Sequence, residues 1–180
     1  FMYLGNIGPV AGVELLINSF IDAQIKNSRL VIAGSGSMRD LLEKKAKSNK
    51  TSIIEFWDVP SGKVPEIQAK ANILLLPLKR GSAGSSIPSK LPAYMFSSKP
   101  IIACVDDESD TSNTILSAKC GWVVQPENIL SLSSIMKNVV SIPTNDLQVM
   151  GKNGFEFAIT RLSKHHNLPI IVNEIIEVFK

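Results

Sequence analysis

Cysteine, histidine and long apolar runs are scarce in this chain, and each shortage closes off a class of protein. Cys104 and Cys120 are the only cysteines in 180 residues, too few to staple a domain of this size, and they lack metal-type spacing. That usage fits a reducing cytoplasm. The two histidines are the adjacent His165 and His166, with no nucleophile or carboxylate in supporting sequence context. Nucleophile elbow, zinc motif and P-loop are all missing, as is a recognisable catalytic base. The longest apolar run, Ile73 to Leu76, is stopped by Pro77, far short of the roughly 20 residues that span a bilayer. Phe1-Met2-Tyr3-Leu4-Gly5 has no charged leader and no cleavage site, and reads as a strand already under way in something longer. Charge of one sign is lacking too: the net charge is +3 and the basic residues are scattered, so no nucleic-acid partner is indicated.

What is present is a globular composition. Hydrophobic residues make up 44% and charged residues 19%, and the length suits a single domain with one sizeable core. Short β-branched runs alternate with amphipathic stretches, which predicts an α/β domain with a mainly parallel six-stranded sheet. Expected strands are Phe1 to Leu4, Leu30 to Ala33, Ser52 to Phe56, Asn72 to Leu76, Pro100 to Cys104 and Gly121 to Val124. Val13, Leu16, Ile17, Phe20 and Ile21 recur at helical spacing after the first strand. Ser37 is expected to cap a helix from Met38 to about Ser48. Further helices are expected over Pro65 to Ala71, Ser89 to Ser97, Asp110 to Lys119, Asn128 to Val140 and Asn145 to His165, with Pro169 opening a last one to Lys180.

In an open parallel sheet, ligands sit outside the carboxyl ends of the strands, so the loops there carry the chemistry. The first holds Gly5, Asn6, Gly8 and Gly12, where glycines let backbone amides approach an anion, or simply make a tight turn. The second, Gly34-Ser35-Gly36, opens like a dinucleotide fingerprint but has Arg39 where the third glycine belongs; Glu55 lies where a nicotinamide fold would hold its ribose. After the third strand, Trp57, Asp58 and Val59 could flank a base. After the fourth, Lys79 and Arg80 lead into Gly84, Ser85, Ser86, Ile87, Ser89 and Lys90, small and hydroxylated residues between basic points, which reads as a pyrophosphate cradle or a capped surface loop. Asp106-Asp107-Glu108 reads as a solvated acidic loop.

Taken together, Tyr3-Leu4-Gly5-Asn6-Ile7-Gly8, Leu30 to Gly36, Ala71 to Pro77, Pro88-Ser89-Lys90 with Tyr94, Lys99 to Ala103 and Cys120 to Pro126 resemble the C-terminal, Rossmann-like donor domain of GT-B glycosyltransferases of group 1, also called family 4. The Gly5-Asn6-Ile7-Gly8 and Pro88-Ser89-Lys90 variants are most similar to the bacterial surface-polysaccharide branch, including aminodeoxysugar transferases of O-antigen and capsule. The resemblance implies a three-layer domain that binds a nucleotide-diphospho sugar as substrate, without metal or other cofactor. The base would lie near the loop after the third strand, and the pyrophosphate between the first loop and Gly84 to Lys90. Lys90 would be the catalytic cation. It further implies an N-terminal acceptor domain outside this chain, a saccharide or lipid-linked acceptor, and a cytoplasmic enzyme that meets the membrane's inner face through that acceptor. Four positions depart from the family pattern. Ser85 and Ala93 occupy the positions of the family's two glutamates, and Asn6 and Ala11 those of its first-loop arginine and lysine. A non-catalytic scaffold of the same fold is the alternative these losses allow. A nicotinamide-binding domain rests only on the second loop and Glu55.

Overall fold

The apolar runs become strands whose side chains alternate between two buried layers. In the computed structural model, which describes residues 1–49, 51–80 and 88–178, Met2 and Leu4 point into one core cluster while Tyr3, between them, points into the other. The order is β1 (Met2–Leu4), α1 (Val13–Ala23), β2 (Arg29–Ala33), α2 (Arg39–Ser48), β3 (Ile53–Trp57), α3 (Val64–Ala69), β4 (Leu74–Pro77), α4 (Lys90–Phe96), β5 (Ile101–Cys104), α5 (Asp110–Ser117), β6 (Gly121–Val124), α6 (Ile129–Val139), α7 (Thr144–Phe157) and α8 (Lys164–Val178). All six strands are parallel, in the order β3-β2-β1-β4-β5-β6. The expected α/β architecture is therefore the observed one. Helices α1, α2 and α6 cover one face through Leu16, Ile17, Phe20, Leu42, Leu132 and Met136; α4 and α5 bury Leu91, Tyr94, Met95 and Ile115 on the other. Each such side chain contributes about 1.5–3 kcal/mol on leaving water.

Strand order reverses between β1 and β4, and there the sheet is only lightly joined. β1 pairs with β2 at three positions but with β4 only at Met2–Leu74. Alternation directs the backbone groups of Met2 and Leu4 toward β4: Met2 N–H donates to Ile73 O at 2.9 Å. On the β4 side Leu4 finds no strand partner. Its N–H donates to the Tyr94 hydroxyl at 3.0 Å, and that hydroxyl donates to Leu4 O at 3.0 Å, with the ring fully buried. One phenol from α4 thus replaces a rung of the ladder and wedges the two strands apart.

Two expected boundaries move. Ser37 is exposed and makes no cap; α2 starts one residue after Met38, whose N–H donates to Ile7 O at 3.0 Å, so the start of the helix is held by a neighbouring loop instead of by a serine side chain. The long C-terminal helix ends at Phe157, passes through a π turn at Ala158–Leu162, and breaks at Ser163. Ser163 Oγ accepts from His166 N–H at 3.1 Å, so serine caps α8 and Pro169 lies in its second turn instead of opening it. No side chain of α8 is buried. Among the described residues, no helix is long and apolar enough to cross a membrane.

Tyr94→Phe leaves the Leu4 amide and carbonyl buried and unpaired, and is expected to lower unfolding stability by about 1–3 kcal/mol in urea titration. An unchanged midpoint would mean that Leu4 has another partner. Burial pushes the Tyr3 phenol and the Cys104 thiol up to about 12 and the Cys120 thiol up to about 11, from ordinary values of 10 and 9. Groups raised on folding stabilise fully below their unfolded pKa and lose that contribution as pH rises toward the folded one. The melting temperature is therefore expected to fall between pH 9 and 12; a flat profile across that range would contradict the burial of these groups.

Candidate functional site

At the carboxyl edge the first two loops are locked together by backbone contact. Gly5 N–H donates to Ala33 O at 3.0 Å and Ile7 N–H to Ser35 O at 2.7 Å. A Cβ on Gly34 would stand 2.1 Å from Gly5 O, and one on Gly36 would stand 2.4 Å from Ile7 O. Gly34, at φ +132°, combines that closeness with a backbone shape that side chains rarely adopt. Gly34 thus serves the packing of one loop on the next. The amides of Gly5 and Ile7 are taken up by this contact, while Ala11 N–H donates to Gly8 O at 3.1 Å and Leu15 N–H to Gly12 O at 3.2 Å as the loop turns into α1. Gly12, at φ +67°, starts α1, and Pro77 Cβ would lie 2.8 Å from any Cβ there. Tyr3 Oη donates to Asn6 O at 2.6 Å and fixes the loop from below.

Lys90 opens α4, one turn before Tyr94. Those two residues share a helix face and meet consecutive residues of the first strand and loop. Tyr94 holds Leu4, and Lys90 crosses Gly5: a Cβ on Gly5 would be 2.2 Å from Lys90 Cε and 3.2 Å from Nζ. The ammonium lies 5.9 Å from the centre of the Tyr3 ring, which favours it further. A cation is thereby held over the glycine loop at the point where the sheet divides.

Arg39, the residue that breaks the dinucleotide fingerprint, is the functional candidate missed by motif reading. Its Nη1 donates to Gly34 O and, at 3.4 Å, to Trp57 O, and it pairs with Asp58 Oδ1 at 2.7 Å. The second and third loops are joined through it. Trp57 offers its carbonyl to this network, while its indole turns toward α3, with Nε1 donating to Glu55 Oε2 at 2.8 Å and Lys70 Nζ 5.5 Å from the ring centre. The indole is thus directed away from the first loop, Val59 packs on the core, and Asp58 is exposed. Glu55 is held by Arg29 at 2.9 Å and by Trp57, so it is not presented as a ribose ligand. Lys79 is exposed and, with Gly8, Gly12, Met38, Leu78 and Glu127, lines a cleft of about 270 Å³ beside the first loop. A larger hollow, about 620 Å³, opens at the other edge of the sheet around Phe1, Lys26, Arg29 and Lys70, and of the described candidate site residues only Trp57 lines it. Ser89 precedes α4 without a side-chain cap, and Ala93 is exposed on it. Gly84, Ser85, Ser86 and Ile87 lie outside the described residues. In the acidic loop, Asp107 pairs with Gln125, and Ser109 caps α5 by accepting from Ser112 N–H at 3.2 Å.

With this geometry in place, the family is decided by sequence. A family model described as glycosyl transferases group 1 matches residues 1–157. The chain belongs to that family. It is similar to the probable glycosyltransferase WbjE of Pseudomonas aeruginosa, 22% identical over 152 residues, covering 82% of this chain and 37% of WbjE. The chain thus spans little more than a third of that curated relative. Its fold is that of the C-terminal domains of GT-B glycosyltransferases. The crystal structure of the C-terminal domain of the group 1 protein LpcC from Francisella tularensis matches with a TM-score of 0.72 at 18% identity, over 91% of this chain and 85% of that one. Anabaena HepE, solved in complex with UDP, matches with a TM-score of 0.74 at 13% identity, over 99% of this chain and 47% of HepE.

Two substitutions test the packing of this group 1 domain. Gly34→Ala meets backbone and is expected to cost about 2 kcal/mol or more; Gly5→Ala meets the movable end of Lys90 and is expected to cost about 1 kcal/mol. Chemical denaturation ranks them, and the reverse order would contradict the nesting of the two loops.

Proposed function

We propose that this domain binds the nucleotide-diphospho sugar donor of a retaining glycosyltransferase, which passes the sugar to a polysaccharide or lipid-linked acceptor. The observation that carries the reading is Lys90 held over Gly5 at the division between β1 and β4. Family membership supports it, as does the UDP complex of Anabaena HepE, which is a property of that protein. In this reading the amides of the first loop and of the α1 start receive the pyrophosphate, and Lys90 faces the charge that grows on the departing nucleoside diphosphate. The protein works by orientation and fixed electrostatics, without a metal. The base lies toward Asp58 and Val59, with Ser89 beside Lys90 on the phosphate side. The acceptor is held by an N-terminal domain, on the cytoplasmic side of a membrane where the acceptor is lipid-linked. A hexosyl or aminodeoxysugar donor fits the likeness of Gly5-Asn6-Ile7-Gly8 and Pro88-Ser89-Lys90 to the surface-polysaccharide branch.

Two outcomes test the mechanism in the enzyme that contains this domain. Lys90→Ala is expected to lower turnover by about 100-fold or more, with the melting temperature unchanged. Normal turnover in that variant would remove Lys90 from the chemistry. Transfer is expected to persist undiminished in excess EDTA, and its loss on chelation would overturn the metal-free reading.

A further inference from the structure

Arg39 joins the second and third ligand loops, and the residue before it is bonded to the first. It is the first residue of α2, a helix whose preceding residue, Met38, donates its N–H to Ile7 O of the first loop at 3.0 Å. Its own N–H donates to Gly36 O at 3.1 Å. Its side chain, only 20% exposed, places one guanidinium nitrogen on the carbonyls of Gly34 and Trp57 and on the Asp58 carboxylate. Gly34 N–H already donates to Trp57 O at 3.0 Å, so the guanidinium caps an existing bridge between the second and third loops. Beyond that bridge the third loop is exposed at Asp58, Pro60, Ser61 and Gly62, and the described residues show only one further internal backbone bond there, Lys63 N–H to Pro60 O at 3.0 Å. The direction in which the peptide groups of Asp58 and Val59 point is therefore set where Arg39 grips the loop and where Val59 packs on the core. A planar guanidinium can satisfy several oxygens around one point, which a lysine ammonium does less rigidly.

We propose that Arg39 is a positioning residue that sets the base-reading loop, so that this chain's preference among nucleobases depends on a residue that need not touch the nucleotide. The proposal rests on the donor-binding reading above. It gives Arg39 a role opposite to that of a third fingerprint glycine: instead of clearing space for a phosphate, it holds the carbonyl end of β3.

The test is calorimetric titration of the 180-residue chain and its Arg39→Ala and Arg39→Lys variants with UDP, GDP and dTDP, alongside thermal melting of each. The wild-type chain is expected to prefer one base, and Arg39→Ala to bind the preferred diphosphate about tenfold or more weakly while the others change less than about threefold, which collapses the discrimination; Arg39→Lys retains part of it. Should the alanine variant fail to fold, the lysine variant supplies the same comparison. Uniform weakening toward all three, unchanged affinity for the preferred one, or a wild-type chain that binds all three alike would overturn the role of Arg39. A wild-type chain that binds none of them would overturn the donor reading itself.

Discussion

The contact of Tyr94 with Leu4 organises the carboxyl edge of this sheet. A parallel sheet left to itself would pair Leu4 with β4, and the β1–β4 seam would close. Here a single buried hydroxyl takes both the amide and the carbonyl of Leu4, so the seam is joined only at Met2–Leu74 and parts above it. The parting falls where strand order reverses, the place at which an open α/β sheet exposes a crevice. The fold thus makes room for a ligand without leaving a buried backbone group unpaired at Leu4.

The same helix that wedges the strands supplies the cation. Because Lys90 and Tyr94 are one turn apart, anchoring the phenol on Leu4 sets the lysine over Gly5. The glycine loop below is in turn clamped to the second loop, and Arg39 clamps the second to the third. Each loop borrows its rigidity from its neighbour. Electrostatic stabilisation of a departing diphosphate needs donors already in place before the charge develops, and a chain of interlocked loops is a way to provide them.

The sheet was legible in the sequence because its strands are short apolar runs bounded by turn residues, and all six appear within two residues of where the pattern puts them. The glycine loops and Pro88-Ser89-Lys90 were legible as motifs, and family membership bears out that recognition. What periodicity could not show were contacts made across the fold. Ser37 has the local look of a cap, but the amide at the helix start, that of Met38, is held by Ile7 O, a residue distant in sequence; at the C-terminal break Pro169 is the stronger local signal, yet Ser163 makes the cap. Trp57 looked like a base platform, yet its ring follows the strand pleat toward Glu55 and Lys70. Arg39 registered only as a defect in a glycine pattern, since nothing local reveals that its side chain reaches the end of β3.

The measurement that bears most directly on the central claim is a chemical-shift titration of the domain with UDP, GDP and dTDP. The account predicts that one of these perturbs the amides of Asn6, Gly8, Gly34, Asp58 and Val59 and the Lys90 side chain together, and leaves Lys26, Asn72 and other residues of the opposite edge unmoved. Silence toward all three at millimolar ligand, or shifts confined to the amino edge of the sheet, would contradict a donor site at the division between β1 and β4.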